Sequence, residues 1–297
     1  MIYTITTNPS LDYYMTFKTN IESGNYCRSV EEFYGAGGKG TNVSIFLSGL
    51  GMASSALGFL GGFTKDKYIQ SIKKYPDIQP LFTTIQEDTR INVKAISSEE
   101  TSLNARGPKI TDVEFEKFLN RLSSVYDNDI VVLSGNVQDE LKDRIVDEIR
   151  KLIQSGVKVI LDTSEDVVEK CLDFKPYIVR VNERVISLSE DLILVNSNLL
   201  IEKGAQNVVY SSALNNNYYL LNKEKAYKAT RDENFNVGIG FNDSFVAGIL
   251  YGAVRGANPK EMLQLGVTSS LKQSLANYNV EKLNILNEFE QVEIIEL

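Results

Sequence analysis

An α/β fold is predicted for this chain of 297 residues by three observations: β-rich runs alternate with helical patterns, helix-start signals stand between them, and no repeat or low-complexity tract interrupts the alternation. The order begins with Ile2 to Thr6, which reads as a strand and carries no basic leader. Val43, Phe46, Leu47 and Leu50 follow at i, i+3, i+4 and i+7, the apolar face of a buried helix. Thr111-Asp112-Val113-Glu114 is a capping box that announces another helix, and Ile130 to Leu133 is a strand. Leu141, Ile145, Ile149 and Leu152 share one helical face that stops at Ser155-Gly156. Val157 to Leu161, Tyr177 to Val181 and Val208 to Ser211 read as further strands. Val246, Ile249, Leu250 and Ala253 give the next helix. Asn258-Pro259-Lys260-Glu261 starts the last one, with proline at the first helical position. Two stretches break the alternation, Leu11 to Tyr34 and Thr89 to Gly107. They are β-rich without an intervening helix, and spacing leaves open whether they form a small separate sheet or extra edge strands on the main one.

Composition narrows the chemistry. With no histidine, Ser-His-Asp triads, His-paired cysteine nucleophiles and histidine metal sites are excluded, so a general base must be Asp, Glu, Lys, Tyr or Cys. Cys27 and Cys171 form no CxxC pair, so neither a disulfide framework nor a zinc site is indicated. A net charge of −8 argues against nucleic acid and anionic membranes as partners, and the longest apolar run, Phe245 to Val254, is too short for a bilayer. The expectation is a soluble, cytoplasmic protein that handles small molecules.

Gly35-Ala36-Gly37-Gly38-Lys39-Gly40-Thr41-Asn42 reads as a loop that brings four glycines and a lysine to the start of a helix. Backbone N–H groups, the positive end of the helix and the ammonium suit a phosphorylated or polyhydroxylated ligand. The alternative is a plain glycine turn with a solvated lysine. The segment does not match the GxxxxGK[ST] phosphate loop. Gly240-Phe241-Asn242-Asp243 stands at the mouth of a second helix, where Asp243 is either a helix cap or a base that takes a proton from a hydroxyl while nearby amides hold an anion.

Together with Asn8-Pro9-Ser10-Leu11-Asp12, Leu57-Gly58-Phe59-Leu60-Gly61-Gly62, Thr89-Arg90-Ile91-Asn92, Gly107-Pro108 and Leu133-Ser134-Gly135, these segments resemble the ribokinase-like sugar kinases of the phosphofructokinase-B family. The resemblance runs nearly the full length and is strongest to the 1-phosphofructokinase and tagatose-6-phosphate kinase branch. It implies a three-layer α/β/α sandwich formed by residues 1–10, 35–88 and 108–297, and a small β-sheet lid formed by 11–34 and 89–107 that mediates homodimerisation. It further implies ATP with Mg²⁺, and a phosphosugar such as fructose 1-phosphate or tagatose 6-phosphate as acceptor. By the same resemblance Asp12, Gly37, Gly38, Lys39, Asn42, Arg90, Asn92 and Ser134 contact the sugar, with Lys39 and Arg90 near its phosphate. Arg28 and Arg106 either join that cluster or are solvated surface charges. Asp243 falls on the general base, Gly240, Phe241 and Asn242 on the anion hole, and Arg180, Asn182, Ser211, Ser212, Gly238 and Gly240 on the nucleotide side; no side chain is assigned as a metal ligand.

Departures from the family concentrate on that nucleotide side. GAGD is replaced by Gly240-Phe241-Asn242-Asp243, which raises the expectation that Asn242 strains a position suited to positive φ. Ser211-Ser212-Ala213-Leu214-Asn215-Asn216 stands where the family has SLGxxG. Arg180-Val181-Asn182 replaces KPN, and Val185, with Glu183 nearby, stands in place of the glutamate of NxxE. A catalytically impaired pseudokinase that binds sugar phosphate as a sensor or partner subunit is therefore the alternative to an active kinase.

Overall fold

The computed structural model describes residues 1–98, 100–181, 189–212, 217–230, 240–272, 280 and 292–297. In chain order these form β1 (Ile2–Thr6), β2 (Ser10–Thr16), β3 (Glu31–Gly37), α1 (Lys39–Gly49), β4 (Ser54–Gly61), α2 (Gly62–Ile72), β5 (Ile78–Pro80), β6 (Thr83–Ile85), β7 (Arg90–Ile96) and β8 (Glu100–Leu103). The second half adds α3 (Asp112–Leu122), β9 (Ile130–Ser134), α4 (Lys142–Gln154), β10 (Lys158–Asp162), α5 (Glu165–Cys171), β11 (Ile178–Val181), α6 (Glu190–Glu202), β12 (Asn207–Ser211), β13 (Asn217–Asn222), β14 (Ala226–Thr230), α7 (Phe241–Val254), α8 (Pro259–Lys272) and β15 (Ile294–Glu296).

The main sheet runs β15-β14-β13-β12-β11-β10-β9-β1-β4-β5, with β6 also paired to β4. From β12 through β5 its pairings are parallel, and β13, β14 and β15 extend it antiparallel. Central strands such as β9 are buried throughout and read as unbroken apolar runs, because helices cover both faces. One face packs on α1, α7 and α8 through Val43, Phe46, Phe245, Ile249 and Leu263. The other packs on α3 and α4 through Phe115, Phe118, Ile145, Ile149 and Leu152. The Thr111 and Glu114 side chains close the capping box at the start of α3 as the sequence predicts.

The two stretches that break the alternation form a separate sheet, ordered β3-β2-β7-β8, and not added edges. Its centre is the parallel pair β2 and β7, in register from Ser10 opposite Arg90 to Thr16 opposite Ile96. β3 runs as far as Gly37, so Gly35, Ala36 and Gly37 are the end of a strand and not a loop. Gly38 alone separates that strand from α1. The glycine-rich segment is pinned from three sides: Thr41 N donates to Thr6 Oγ1 at 3.1 Å, Tyr68 OH donates to Gly37 O at 3.0 Å, and the Thr41 and Tyr68 hydroxyls share a 2.7 Å bond.

Candidate active site

The C-terminal ends of the parallel strands and the N-termini of α1 and α7 meet at one polar cluster, the edge of an open α/β sheet where ligands bind. α7 brings in Asp243, which is 6% exposed and accepts a 2.8 Å hydrogen bond from Asn42 Nδ2 on α1. Burial pushes the Asp243 carboxyl up to about 6. The charge of Asp162 adds to this, while Lys39, the Asn42 hydrogen bond and Arg180 act in the opposite direction. A carboxyl with that midpoint is mostly ionised at neutral pH and is a stronger base than an exposed aspartate.

Behind Asp243 lies a second set of charges. Asp162 closes β10, Arg180 lies on β11, and Arg180 Nη1 donates to Asp162 Oδ1 at 2.7 Å, both side chains being inaccessible to solvent. Lys39 Nζ stands 3.5 Å from the same Oδ1. Arg180 Nε donates to Ser211 Oγ at 3.4 Å, and Ser211 Oγ donates to Asn242 Oδ1 at 2.8 Å. Asn42 Oδ1, Ser134 Oγ, Asp162 Oδ2 and Arg180 Nη2 are buried without a hydrogen-bond partner among the described residues, so acceptors and donors converge on this point.

Asp162 is the residue that sequence reasoning missed. Its only signal, an aspartate ending an apolar run that reads as a parallel strand, has no motif or spacing to set it apart. Arg180 and Ser211, expected on the nucleotide side, are internal to this network. Ser212 is buried beside it and its N–H donates to Asn217 O at 3.2 Å. Asn182, Glu183, Val185, Ala213 to Asn216 and Gly238 lie outside the described residues.

At the mouth of α7 the segment Gly240 to Asp243 departs from the sequence expectation. The positive φ falls on Gly240, at 80°, the one position of the four that needs a residue tolerant of the left-handed region. Phe241 and Asn242 are the first residues of the helix, and Asn242 is not among the positive-φ residues, so the strain expected there does not arise. Phe241 is buried against Tyr218, and Asn242 Oδ1 takes the bond from Ser211. The N-cap residue Gly240 brings no side chain to the first amides of α7, the end of a helix that suits an anion.

On the small sheet Asp12 is buried and accepts bonds from Ser10 Oγ at 2.6 Å and Asn92 Nδ2 at 3.2 Å. Burial raises its carboxyl, against the opposing hydrogen bonds and the charges of Lys94 and Arg90. A Cβ on Gly37 would lie 2.4 Å from the Asp12 carboxylate, so only glycine lets that strand pass. Arg90 donates to the carbonyls of Asn8 at 2.9 Å, Ala105 at 2.9 Å and Pro9 at 3.4 Å, three bonds that tie both crossings between the sheets. Arg106 lines a polar cavity of about 180 Å³ with Asn8, Lys109, Asn136 and Gln138, whereas Arg28 is exposed.

Residues 7–273 match the model of the pfkB family carbohydrate kinases. The chain is 36% identical to the 1-phosphofructokinase of Borreliella burgdorferi, covering 93% of this chain and 92% of that one. It is 29% identical to a tagatose-6-phosphate kinase of Staphylococcus epidermidis over the whole of both. The structure of Escherichia coli phosphofructokinase-2 in complex with fructose 6-phosphate superposes with a TM-score of 0.89 at 19% identity, over 98% of each chain, which is a likeness of fold. With its mixed sheet flanked by helices, its small second sheet and its full-length match, the chain belongs to the pfkB family of carbohydrate kinases.

Proposed function

We propose that the protein transfers the γ-phosphate of ATP to a hydroxyl of fructose 1-phosphate or tagatose 6-phosphate, with Asp243 as general base. The observation that carries this reading is the pairing of a buried, raised carboxyl with the glycine-led start of the same helix, since attack on a phosphate needs a base on one side and an anion hole on the other. Asn42 orients the Asp243 carboxylate toward the accepting hydroxyl. Asp12 and Asn92 take the sugar hydroxyls. Lys39, 40% exposed, offers its ammonium to the phosphoryl group in transit or to the substrate phosphate. Arg90 and Arg106 take the sugar's own phosphate; for Arg106 this role is supported by the polar cavity it lines with Asn8 and Lys109. The Gly240, Phe241, Asn242 and Asp243 amides fit the triphosphate; Mg²⁺ travelling with it supplies charge neutralisation on the phosphate oxygens. The retained amide geometry at Phe241 and Asn242 favours an active kinase over an impaired one.

Exposed apolar residues of the small sheet and its β2–β3 connection, Leu103 on β8 with Tyr26 and Val30 before β3, support a homodimer through this part of the molecule in the cytoplasm, where ATP and phosphosugars meet. The deciding experiment is a coupled ADP-release assay over a panel of phosphosugars, with calorimetry for ATP and for the sugar phosphate separately. ADP release confined to ketohexose phosphates is expected. Sugar-phosphate binding without ADP release would replace the reading with that of a pseudokinase.

A further inference from the structure

We propose that Asp162 is a positioning residue of this site: its Oδ1 is shared by Arg180 Nη1 at 2.7 Å and Lys39 Nζ at 3.5 Å, so that a buried guanidinium fixes the carboxylate and the carboxylate holds the ammonium beside Asp243. The proposal rests on the phosphoryl-transfer reading. Three elements converge here, with Asp162 from β10, Arg180 from β11 and Lys39 from α1. A buried ion pair is weak evidence for stability, because desolvation offsets its attraction, so a role in the site accounts better for its place at the sheet's C-terminal edge. The pair is also incompletely satisfied. Asp162 Oδ2 and Arg180 Nη2 have no partner among the described residues, which suits a carboxylate whose work lies in holding a movable cation. Lys39 has one side toward this anchor and the other open to solvent, so an arriving phosphate meets an ammonium already aimed. Without the anchor a flexible four-carbon chain would have to be ordered by the ligand itself.

Asp162 also acts on Asp243 through space. The groups facing Asp243 are Lys39 and Asn42 from α1, Asp162 from β10 and Arg180 from β11, and Asp162 is the one that makes Asp243 harder to ionise by charge.

The test is Asp162→Asn, read by carboxyl ¹³C NMR titration of the free protein, with Asp243 assigned from Asp243→Asn, and by the pH profile of kcat with ATP and fructose 1-phosphate. Loss of the Asp162 charge alone lowers the Asp243 midpoint, whereas an ammonium released from its place raises it, so a midpoint that does not fall marks a Lys39 that has left Asp243. The acid limb of kcat should follow the midpoint, kcat should fall at least about tenfold as Lys39 loses its anchor, and Asp162→Glu, which keeps the charge, should hold the midpoint near its wild-type value. If Asp162→Asn does not fold because Arg180 is left uncompensated, Asp162→Asn with Arg180→Gln removes both charges. In that double variant kcat should fall as in the single one, since Lys39 is again without its anchor. A midpoint that falls while kcat stays unchanged in a folded variant overturns the proposal, because Lys39 then keeps its place without Asp162. A wild-type protein that releases no ADP with any phosphosugar overturns the kinase reading instead, while the titration of the free protein still reports whether Lys39 has left Asp243.

Discussion

At neutral pH Asp243 carries a negative charge where only 6% of the residue reaches solvent. Its folded midpoint of about 6 lies above the 3.8 of an unfolded aspartate, so the folded chain holds the proton more tightly. The penalty for that buried charge is absent below pH 3.8, grows as pH rises and is complete above about 6, reaching about 3 kcal/mol. Asp243→Asn should therefore be more stable than the wild type at pH 8 by about 1–3 kcal/mol in urea denaturation, with the difference fading toward pH 4. The same variant should lose about 10²- to 10⁴-fold in turnover. Equal stability of the two proteins at both pH values would mean that the carboxyl is solvated. The wild-type rate should rise with pH through about 6, as the base ionises. Asp243 and Asn42 were legible because each belongs to a motif, GFND and GGKGTN. Asp162 was not, because one aspartate closing a strand has no spacing to mark it, and its partners Lys39 and Arg180 are distant in sequence.

The start of α7 shows where a motif comparison misleads and local geometry corrects it. Comparison by position makes Asn242 a poor stand-in for glycine, yet helical residues need no positive φ, and the glycine that does need it is Gly240. Restoring glycine with Asn242→Gly should leave turnover no higher and cost about 0.5–1 kcal/mol of stability, through lost helix propensity and the lost bond from Ser211. A clear gain in kcat would return the strain argument to force. Strand β3 was hidden for a related reason: Gly35 and Gly37 are poor strand formers, and what holds them extended is pairing with β2 and close approach to Asp12, neither of which is visible locally. Gly37→Ala should cost about 1–3 kcal/mol by overpacking and raise KM for the sugar phosphate more than it lowers kcat. Arg90 acts at this scale as well, since its three carbonyl partners lie on both crossings between the sheets. Arg90→Ala should speed amide exchange at residues 8–10 and 105–107 in addition to weakening binding of the phosphorylated sugar by about 1.5–3 kcal/mol. Weaker binding with unchanged exchange would separate ligand contact from tether.

Across the whole molecule the three layers were legible because parallel strands buried on both faces leave apolar runs, and amphipathic helices between them leave a period. The second sheet was only half legible. Its central pairing joins Ser10–Thr16 to Arg90–Ile96, two segments whose partnership depends on everything folded between them. The dimer proposed through that sheet predicts that Val30→Asp with Leu103→Asp halves the mass seen by light scattering, and an unchanged mass would place any contact elsewhere. The chain's lack of histidine gives the buried Asp243 one more role, as a proton counter. Burial lifts the Asp12 carboxyl of the small sheet as well. Docking of a triphosphate beside Asp243 would make its charge harder to keep, so the protein should draw a proton from the medium as it binds. Titration calorimetry near pH 6.5 in two buffers of different ionisation heat would read that uptake as a difference in apparent enthalpy, and the part of it that disappears in Asp243→Asn is the share of this single carboxyl.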